Sequence, residues 1–403
     1  MADIDTIVSV PVHVPPELVR DFDFYNPEGY LDDVHLAWKR VQETMPDIFW
    51  TPHYGGHWVA LRGDDIKHMQ QDYAHFSHRE MFLPKGIIPF QLPVQLDPPQ
   101  HGPYRKLFMH AFLPRALEEV DRKARAVAIE LIDQIAPQGE CEFVAEFAGA
   151  MPIMAFLTMM DLPREDCRRL RGYAIYMSKP IHPKSQESWA AISNYIGEWI
   201  ERRRKAPGDD LISRIIDGKI EDRPLDADEV FNLCLLMLGG GLDTVVSMTT
   251  FMANFLAGHP DHRRQLIERP ELVDPAVEEF VRRFGTTNTA RQITQDMDYN
   301  GLRFAQDDMI VLANPLSGMD DRDNDDPLTV DFERRKRSHA TFGLGPHTCP
   351  GAVLARRELK IFLQERLKRI PDFRIKPGTR PVFTTGVVNA LTELHLEWEP
   401  KTV

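Results

Sequence analysis

Residues 342–351 read FGLGPHTCPG, and a helical sequence that bears two arginines, AVLARREL, follows at 352–359. The stretch places Cys349 between glycines and just before the N-terminal end of the predicted helix, whose positive end would face the sulfur. Gly345 and Gly351 would let the backbone curl around the sulfur without Cβ clashes. A cysteine so placed is held as a thiolate, the form that ligates metals. The stretch therefore predicts a metal-binding thiolate, against the alternative of a buried cysteine in a glycine-rich turn.

The same stretch resembles the haem-ligand loop of the cytochrome P450 superfamily, which reads Phe-x-x-Gly-x-x-x-Cys-x-Gly. Its fixed positions are occupied here by Phe342, Gly345, Cys349 and Gly351. The resemblance implies that Cys349 is the proximal ligand of the iron of haem b (iron protoporphyrin IX), and that its thiolate favours cleavage of the O–O bond. It also implies the fold, which is mainly α with small peripheral β-sheets, a helix-rich triangular prism around a buried haem.

The resemblance covers nearly the whole chain, residues 15–400, and points to the bacterial camphor monooxygenase branch. The segments that carry it are 240–246, 316–322, 354–358 and 369–373. Members of that branch are soluble and receive electrons from a two-iron ferredoxin, which an NADH-dependent flavoprotein reduces. The resemblance therefore implies a haem-thiolate monooxygenase that uses O2, a small hydrophobic substrate, and a two-iron ferredoxin with an NADH-dependent ferredoxin reductase.

The composition of the 403-residue chain is ordinary for a globular protein, with 43% hydrophobic and 27% charged residues. We expect a single cytochrome P450 domain over residues 1–403. The net charge of −13 disfavours a nucleic-acid partner, and Met1–Asp5 lacks the basic and apolar regions of a signal peptide. The cysteines are too far apart for a disulfide framework or a structural zinc site. These features favour a cytoplasmic monomer with no nucleic-acid or membrane partner.

The hydrophobic pattern predicts a helix-dominated chain with small sheets. From about residue 104 to residue 280 the periodicity is mostly helical. The apolar run Val230–Ala257 contains polar residues and consecutive glycines, so we expect a buried core helix rather than a membrane span. A capping box at 226–229 would begin this helix, and Gly258-His259-Pro260 would end it. Other predicted elements are strands at 48–50 and 58–61, helices at 115–135, 189–205 and 352–369, a hairpin turn at 299–302 and an extended segment at 381–398.

Residues 239–244, in the middle of the central helix, read GGGLDT. Each glycine inside a helix costs up to about 1 kcal/mol relative to alanine, so the run indicates either a close helix contact or a local opening that faces a ligand. It resembles the P450 signature (Ala/Gly)-Gly-x-(Asp/Glu)-Thr. The resemblance implies that Asp243 and Thr244 are catalytic and relay protons for oxygen activation, with Arg171 or Lys179 holding Asp243 by an ion pair.

The resemblance implies roles for two further sets of residues. Glu279 and Arg282 by themselves would be an ordinary surface ion pair at i, i+3. They match the buried Glu-x-x-Arg of P450s, with Arg334 as the third, structural member. Cationic and N–H donors are needed by haem propionates, and the residues that match the propionate-binding set are His101, Arg105, Arg291 and His347.

The candidate substrate pocket is mostly apolar. Camphor hydroxylases of the resembled branch bind the substrate ketone through a tyrosine before an Asp-Pro-Pro turn, whereas residues 82–96, before Asp97-Pro98-Pro99, contain none. Loss of this polar anchor weakens selection for camphor. Two alternatives are open for Gln91: its side chain replaces the lost hydrogen bond, or it points to solvent. We expect a ligand of terpenoid or norisoprenoid size, in contact with Phe82, Gln91, Leu236, Thr287, Val387 and Val388.

Local positive charge near the cysteine suits an acidic ferredoxin, although a solvated helix face is the alternative. The candidate docking cations are Arg105, Lys106, Lys336, Arg356 and Lys360. Two other functions remain open. One is a peroxygenase driven by hydrogen peroxide, which would not need the Asp243–Thr244 relay. The other is a non-catalytic haem protein that senses or stores a ligand.

Overall fold

The structure is a computed structural model that describes residues 5–400. Most of the segment inspected for a signal peptide, residues 1–4, lies outside the described residues. The helices in chain order are α1 (Val34–Thr44), α2 (Gly63–Gln71), α3 (His101–Met109), α4 (Pro114–Ile135), α5 (Met151–Met159), α6 (Cys167–Met177), α7 (Ser185–Lys205), α8 (Leu211–Ile216), α9 (Ala227–Gly240), α10 (Thr244–Gly258), α11 (Pro260–Glu268), α12 (Val273–Arg283), α13 (Asn314–Met319) and α14 (Ala352–Arg369).

The strands are shorter and lie in several small sheets. They are β1 (Ile48–Thr51), β2 (His57–Ala60), β3 (Phe76–Ser77), β4 (Glu140–Glu142), β5 (Lys219–Ile220), β6 (Arg223–Pro224), β7 (Thr289–Ile293), β8 (Met297–Tyr299), β9 (Leu302–Phe304), β10 (Met309–Leu312), β11 (Arg374–Ile375), β12 (Val382–Thr384), β13 (Ala390–Glu393) and β14 (His395–Glu397). The predicted mainly helical fold with small β-sheets is confirmed.

The largest sheet has five strands in the order β1-β2-β10-β7-β3. Strand β10 pairs with β2 in parallel and with β7 in antiparallel register, so that Arg291 lies opposite Ile310. Beside this sheet, the β8–β9 hairpin turns at Asn300 and Gly301, which both have positive φ, as an Asn-Gly pair favours. The predicted strands and the hairpin turn are confirmed, and the sheet fixes the backbone of Arg291.

The central helix is interrupted. α9 begins with the predicted capping box, in which Asp226 and Glu229 each accept the other's backbone N–H. It ends at Gly240, and α10 starts at Thr244, so the single helix expected from the pattern is two helices with a break at 241–243. The break creates two helix ends, where backbone C=O groups of α9 and N–H groups of α10 lack the intrahelical partners that a continuous helix would give them.

The stretch Ala227–Gly258 is apolar and, by length and composition alone, long enough to cross a membrane. Half of its most apolar window, 50%, is buried inside the protein, and a core helix meets the same criterion. α10 packs against α12, α14 and β13. This burial agrees with the core helix predicted for Val230–Ala257.

α14 follows the cysteine stretch directly. It begins at Ala352 and ends at Arg369, as predicted, and packs against α4, α10 and α12. The long helices expected at 115–135 and 189–205 are confirmed as α4 and α7. These contacts bring the start of α14 and the break in the central helix to the same part of the interior.

Candidate active site

A cavity of about 340 Å³ lies between the helix break and the cysteine stretch. One wall, from the end of α9 and the start of α10, includes Gly240 and Thr244. A second wall, from the residues before α14, includes Phe342 and Cys349. Two motifs that are about a hundred residues apart in the sequence therefore face one space.

The backbone before α14 presents the Cys349 side chain to this cavity. The Cys349 N–H donates to the carbonyl of Phe342 at 2.7 Å. Gly343 and Gly345 adopt φ values of 71° and 72°, a conformation that glycine adopts without strain. A Cβ on Gly351 would lie 3.8 Å from the Cys349 sulfur, which is an ordinary contact. The loop therefore needs glycine at 343 and 345. The prediction that a side chain at 351 would clash with the sulfur is wrong.

The surroundings of the Cys349 sulfur include several groups that favour its anion. Burial raises the pKa of the thiol. The N–H groups of Gly351 and Ala352 and the guanidinium groups of Arg105 and Arg356 act in the opposite direction and lower it. The donors come from the first turn of α14, as expected for a thiolate at a helix N-terminus.

The other three cysteines have a different environment. Burial raises the pKa of Cys141 to about 12 and that of Cys167 to about 11, and it raises the pKa of Cys234 as well. All three are buried. Among the cysteines of the described chain, Cys349 is therefore the one available to a group in the main cavity.

One end of the main cavity is lined by basic side chains. The residues that the resemblance assigns to the haem propionates all lie here, namely His101, Arg105, Arg291 and His347. Within residues 5–400, the Nε of Arg291 and both ring nitrogens of His347 have no hydrogen-bond partner. The Nε2 of His347 is 3.6 Å from an oxygen of Asp97, beyond hydrogen-bond distance. Buried donors are rarely left unpaired, so this end of the cavity fits an anionic group.

A chain of polar side chains orients Arg291. Gln70 donates to the Oδ1 of Asn314 at 2.8 Å, and Asn314 donates to the Oγ1 of Thr289 at 3.2 Å. The Nη1 of Arg291 donates to the same oxygen at 3.1 Å. Burial lowers the pKa of Arg291 to about 9, an effect that Asp97 partly offsets. Sequence reasoning missed this network, because its members come from α2, β7 and α13.

The predicted Glu-x-x-Arg pair is fully buried, with 0% exposure of both side chains. Arg282 donates to Glu279 at 2.6 and 2.9 Å, and Arg334 donates to it at 3.0 Å. Burial would raise the pKa of Glu279, but the hydrogen bonds from Arg282, Arg334 and the Asp331 N–H hold it below its ordinary value. The Nε of Arg337, which the sequence did not single out, is 3.4 Å from the same carboxylate. The alternative of a surface ion pair is therefore wrong.

The glycines of the helix break have different neighbours. A Cβ on Gly241 would lie 2.6 Å from the Phe156 ring of α5, so a close helix contact requires glycine there. A Cβ on Gly240 would meet nothing within 4 Å, and Gly240 lines the main cavity. The sequence allowed two roles for these glycines. Gly241 makes the close helix contact, and Gly240 leaves the helix open towards the main cavity.

Thr244 and Asp243 are adjacent in the chain but line different cavities. Thr244 lines the main cavity, and its hydroxyl donates to the Gly240 carbonyl at 3.4 Å across the break. Asp243 lines a second cavity of about 30 Å³, which is large enough for a water molecule. The break therefore lies between the two cavities.

Polar groups surround Asp243 in the smaller cavity. Burial raises the pKa of Asp243, and the Ser178 hydroxyl, Lys179 and Arg171 partly offset that rise. Arg171 and Lys179 line the same cavity. Neither forms an ion pair with Asp243 within 4 Å in the described structure. The expected ion pair is therefore absent there, and both cations act on Asp243 only through longer-range electrostatic attraction.

The residues predicted to line the substrate pocket are only partly in the main cavity. Leu236 and Thr287 line it. Four of the residues lie outside its lining, namely Phe82, Gln91, Val387 and Val388.

These residues lie elsewhere in the structure. Met81 lines the cavity, whereas its neighbour Phe82 does not. Val388 pairs with Thr287 in a single β-bridge and lines the smaller cavity beside Asp243. Gln91 is buried, and its backbone N–H donates to the side chain of Gln95 at 2.8 Å.

The candidate docking cations are not equivalent. Arg105 lines the cavity and donates to the Thr348 carbonyl. Arg356 donates to Glu278 at 2.6 and 3.1 Å and stacks over the ring of Phe342. Lys360 is 2.7 Å from Asp274. The two that are exposed and make no ion pair with a described residue are Lys106 and Lys336.

Two buried titratable side chains line the main cavity without having been predicted, His78 and Glu358. Burial and the neighbouring Asp121 raise the pKa of Glu358 well above its ordinary value, and its Oε1 has no hydrogen-bond partner in the described chain. The ring of His78 stacks on that of His347. Glu358 ends the segment 354–358 that carries the resemblance, but no role was assigned to it, and His78 belongs to no recognised motif.

The cavity and its side chains fit a haem. The Cys349 sulfur faces the cavity, unpaired buried donors of Arg291 and His347 face one end of it, and Gly240 leaves its other wall open. A haem presents an iron, two carboxylates and a flat apolar ring. Each of these has a complementary group in the cavity.

Known proteins are similar to this chain in sequence. The family model of cytochrome P450 matches residues 167–385. The chain is 34% identical to "Probable cytochrome P450 127A1" of Sinorhizobium fredii, over 96% of this chain and 97% of that protein. It is 29% identical to "Mycinamicin IV hydroxylase/epoxidase" of Micromonospora griseorubida, over 92% and 99% of the two chains.

Solved structures agree with the sequence relatives. The crystal structure of CYP101J2 has a TM-score of 0.89 and 37% identity, and covers 98% of this chain and 100% of its own. That of CYP101C1 has a TM-score of 0.89 and 35% identity, and covers 97% and 100%. The chain therefore belongs to the cytochrome P450 family, as a haem-binding monooxygenase with the P450 fold.

Proposed function

We propose that this monooxygenase hydroxylates a small apolar substrate of terpenoid or norisoprenoid size, with electrons from a two-iron ferredoxin that an NADH-dependent reductase supplies. The observation that carries the proposal is the apolar surface around Thr244 in the main cavity. It is formed by Met81, Val94, Phe156, Leu236, Met237 and Val245. Such a surface binds a ligand by burial of area, at about 25 cal/mol per Å².

We assign the haem contacts to the residues that fit it. Cys349 is the iron ligand, and His101, Arg105, Arg291 and His347 hold the propionates. When bound, a haem with a thiolate ligand supplies the electron transfer and oxygen activation. Glu279, Arg282 and Arg334 have a structural role, since they hold together α12 and the segment before the cysteine.

The protein's own contribution to proton supply follows from the break between the two cavities. Asp243 lies on the side of the smaller cavity, where its raised pKa suits it to carry a proton. The Thr244 Oγ1 lies on the side of the main cavity. We assign to Asp243 the uptake of a proton from water in the smaller cavity, and to Thr244 its delivery into the main cavity. This pair favours an O2-dependent reaction over one driven by peroxide.

A direct experiment is a ligand screen followed by turnover. Terpenoid ketones, ionone-like and cineole-like compounds are titrated while the low-spin to high-spin change of the haem is recorded. The best ligand is then incubated with a two-iron ferredoxin, its reductase and NADH, and the hydroxylated product is identified. NADH consumption that is independent of the ligand, or equal product formation with hydrogen peroxide alone, would contradict the proposal.

We place the ferredoxin on the outer face of the cysteine stretch. Lys106 and Lys336 are exposed there, and Val353, in the first turn of α14, is 49% exposed. Exposed charges steer an acidic partner, and an exposed apolar side chain contributes to the centre of an interface. Of the original candidates, Arg356 is a poor probe because its replacement would also disturb Glu278 and Phe342.

Lys106→Glu is the sharper test of this surface. We expect ferredoxin-dependent turnover to fall roughly two- to fivefold at low salt, the range of a single exposed charge pair. The difference should shrink with ionic strength, as screening shortens to below about 10 Å. Lys205→Glu, at the exposed end of α7, is the matched control. An equal fall in both variants would exclude Lys106 from the docking site.

A cytoplasmic location, a monomeric state and a single domain over 1–403 remain predictions.

A further inference from the structure

His78 belongs to a cluster of three imidazole rings at the basic end of the main cavity, in which the His78 and His347 rings stack and the His101 ring is tilted. It follows β3, lines the cavity and is 5% exposed. The centroids of the His78 and His347 rings are 3.5 Å apart, and the ring planes are 14° from parallel. The His101 ring is 4.3 Å from that of His347. The stack fixes the plane of the His78 ring, so its nitrogens project at the ring edge in a defined direction.

The His78 ring lacks the partners that a buried imidazole normally has. Among the described residues, neither its Nδ1 nor its Nε2 makes a hydrogen bond of good geometry, although the Val94 carbonyl lies near enough to attract the ring. Burial holds the pKa of His78 well below its ordinary value, and Arg291, His347 and His101 lower it further, while the Val94 carbonyl acts weakly in the other direction. A buried polar ring surrounded by positive or protonatable groups is unfavourable unless an anion binds beside it.

The charges around the stack are not balanced by the protein. Arg105 and Arg291 are cationic and line the cavity. The carboxylate beside them, Asp97, already accepts from the hydroxyl of Ser77 and from the backbone N–H of His78. Two guanidinium groups against one engaged carboxylate leave an excess of buried positive charge. A haem, with two propionates, would reverse that imbalance.

We propose that the His78 ring donates a hydrogen bond to a haem propionate, and that His78 is thus a cofactor-binding residue in addition to His101, Arg105, Arg291 and His347. The resemblance to the family gave only the latter four. His78 enters the set because the fold places it there with two unpaired nitrogens, aligned on the His347 ring.

The first experiment measures the rate at which haem leaves the holoenzyme for excess apomyoglobin. His78→Phe keeps an aromatic ring in the stack and removes both ring nitrogens, including the N–H donor. Since a hydrogen bond to a charged group is stronger than one between neutral groups, haem loss should be roughly 10- to 100-fold faster. His78→Gln keeps an N–H donor, so its rate of haem loss should rise less than that of His78→Phe. His259→Phe, at an exposed histidine far along the chain, is the control and should match the wild type. An unchanged rate in His78→Phe would overturn the proposal.

The second experiment separates propionate binding from a general loosening of the fold. Wild type and His78→Phe are reconstituted with haem dimethyl ester, in which both carboxylates are blocked. The difference in haem-loss rate between the two proteins should then collapse to less than about threefold. A difference as large with the ester as with haem would overturn the proposal. If His78→Phe does not fold, His78→Leu, which also lacks a side-chain donor, provides the same comparison.

The third experiment asks whether His78 acts only by holding His347. His78→Phe is measured again in a His347→Phe background. A direct contact predicts that the substitution still speeds haem loss severalfold, whereas a residue that merely positions His347 predicts no further effect. The latter result would overturn the assignment of His78 as a contact of the propionate.

Discussion

The two walls of the main cavity hold their ligands by different means. The wall with Cys349 and the adjoining basic end carry individual polar groups that each have one identifiable task, such as the sulfur of Cys349 or the Nε of Arg291. The wall with Thr244 consists largely of apolar side chains from several helices and loops, such as Phe156 and Leu236. In the first wall, binding of a ligand depends on the position of individual protein atoms. In the second wall, it depends on the shape of the surface that several apolar side chains form together.

This difference bears on how each wall responds to change. A polar group at a fixed point has no substitute, since its removal leaves a buried partner unpaired. An apolar surface tolerates exchange of one side chain for another of similar volume. We therefore expect substitutions to have large, specific effects in the cysteine wall and small, graded effects in the apolar wall. The predictions that follow would break or sharpen this contrast.

The largest effect should come from Cys349→His. The ferrous carbon-monoxide complex of the wild type should show the red-shifted Soret band of thiolate ligation, and the variant should lose it entirely. Cys167→Ala, which replaces a buried cysteine outside the main cavity, is the matched control and should keep the band. Retention of the band in Cys349→His would remove Cys349 from the iron.

Asp243→Asn should slow product formation by about 10²–10⁴-fold, the usual contribution of a positioned acid or base. Thr244→Ala should still consume NADH but divert the electrons to peroxide or water, because delivery of the proton into the main cavity fails. Coupling is measured as product formed per NADH consumed. Thr249→Val, at a buried threonine farther along α10, should leave coupling unchanged. Normal rate and coupling in both Asp243→Asn and Thr244→Ala would exclude the relay.

Glu279→Gln should destabilise the protein by about 3–5 kcal/mol, as expected when a buried ion pair loses one charge. The lowered pKa of Glu279 has a further consequence. Its stabilising contribution is present above the ordinary glutamate pKa and is lost as the pH falls through the lower, folded-state value. Urea unfolding followed from pH 7 down to about pH 3, below the ordinary glutamate pKa, should therefore show less acid sensitivity in the variant. Glu333→Gln, in an exposed pair with Arg269, is the control and should change stability little. An equal effect of both substitutions would contradict the structural role of Glu279.

The sequence predicted the polar wall far better than the apolar one, for a physical reason. Cys349, Arg291 and His347 occupy fixed positions in a resembled pattern, because a ligand atom at a fixed point constrains residue type and spacing. The pocket residues Phe82 and Val388 could not be placed this way, because the sequence does not show which way a side chain points in an irregular segment, and Val388 lines the smaller cavity instead.

Long-range packing accounts for most of what else was missed. The break between α9 and α10 was suggested by the glycines, but the requirement for glycine at 241 comes from Phe156 on α5. His78 reaches the basic end of the cavity because β3 pairs with β7, next to Arg291. The helices themselves, such as α14, were predictable because their periodicity and end signals are local.

The smallest effects should be those in the apolar wall, and ligand titrations would measure them. A missing hydrogen bond to a ketone costs about 0.5–1.5 kcal/mol, up to about tenfold in affinity. An ionone-like compound should offset this cost better than camphor, because it buries a larger apolar area. Leu236→Ala should weaken the larger ligand by about tenfold, through loss of buried area at about 25 cal/mol per Å². Gln91→Leu is the matched control, since Gln91 lies outside the cavity lining, and it should leave the affinity for either ligand unchanged. Tight binding of camphor that Gln91→Leu abolishes would show that a single polar group also governs this wall, and the contrast between the two walls would then fail.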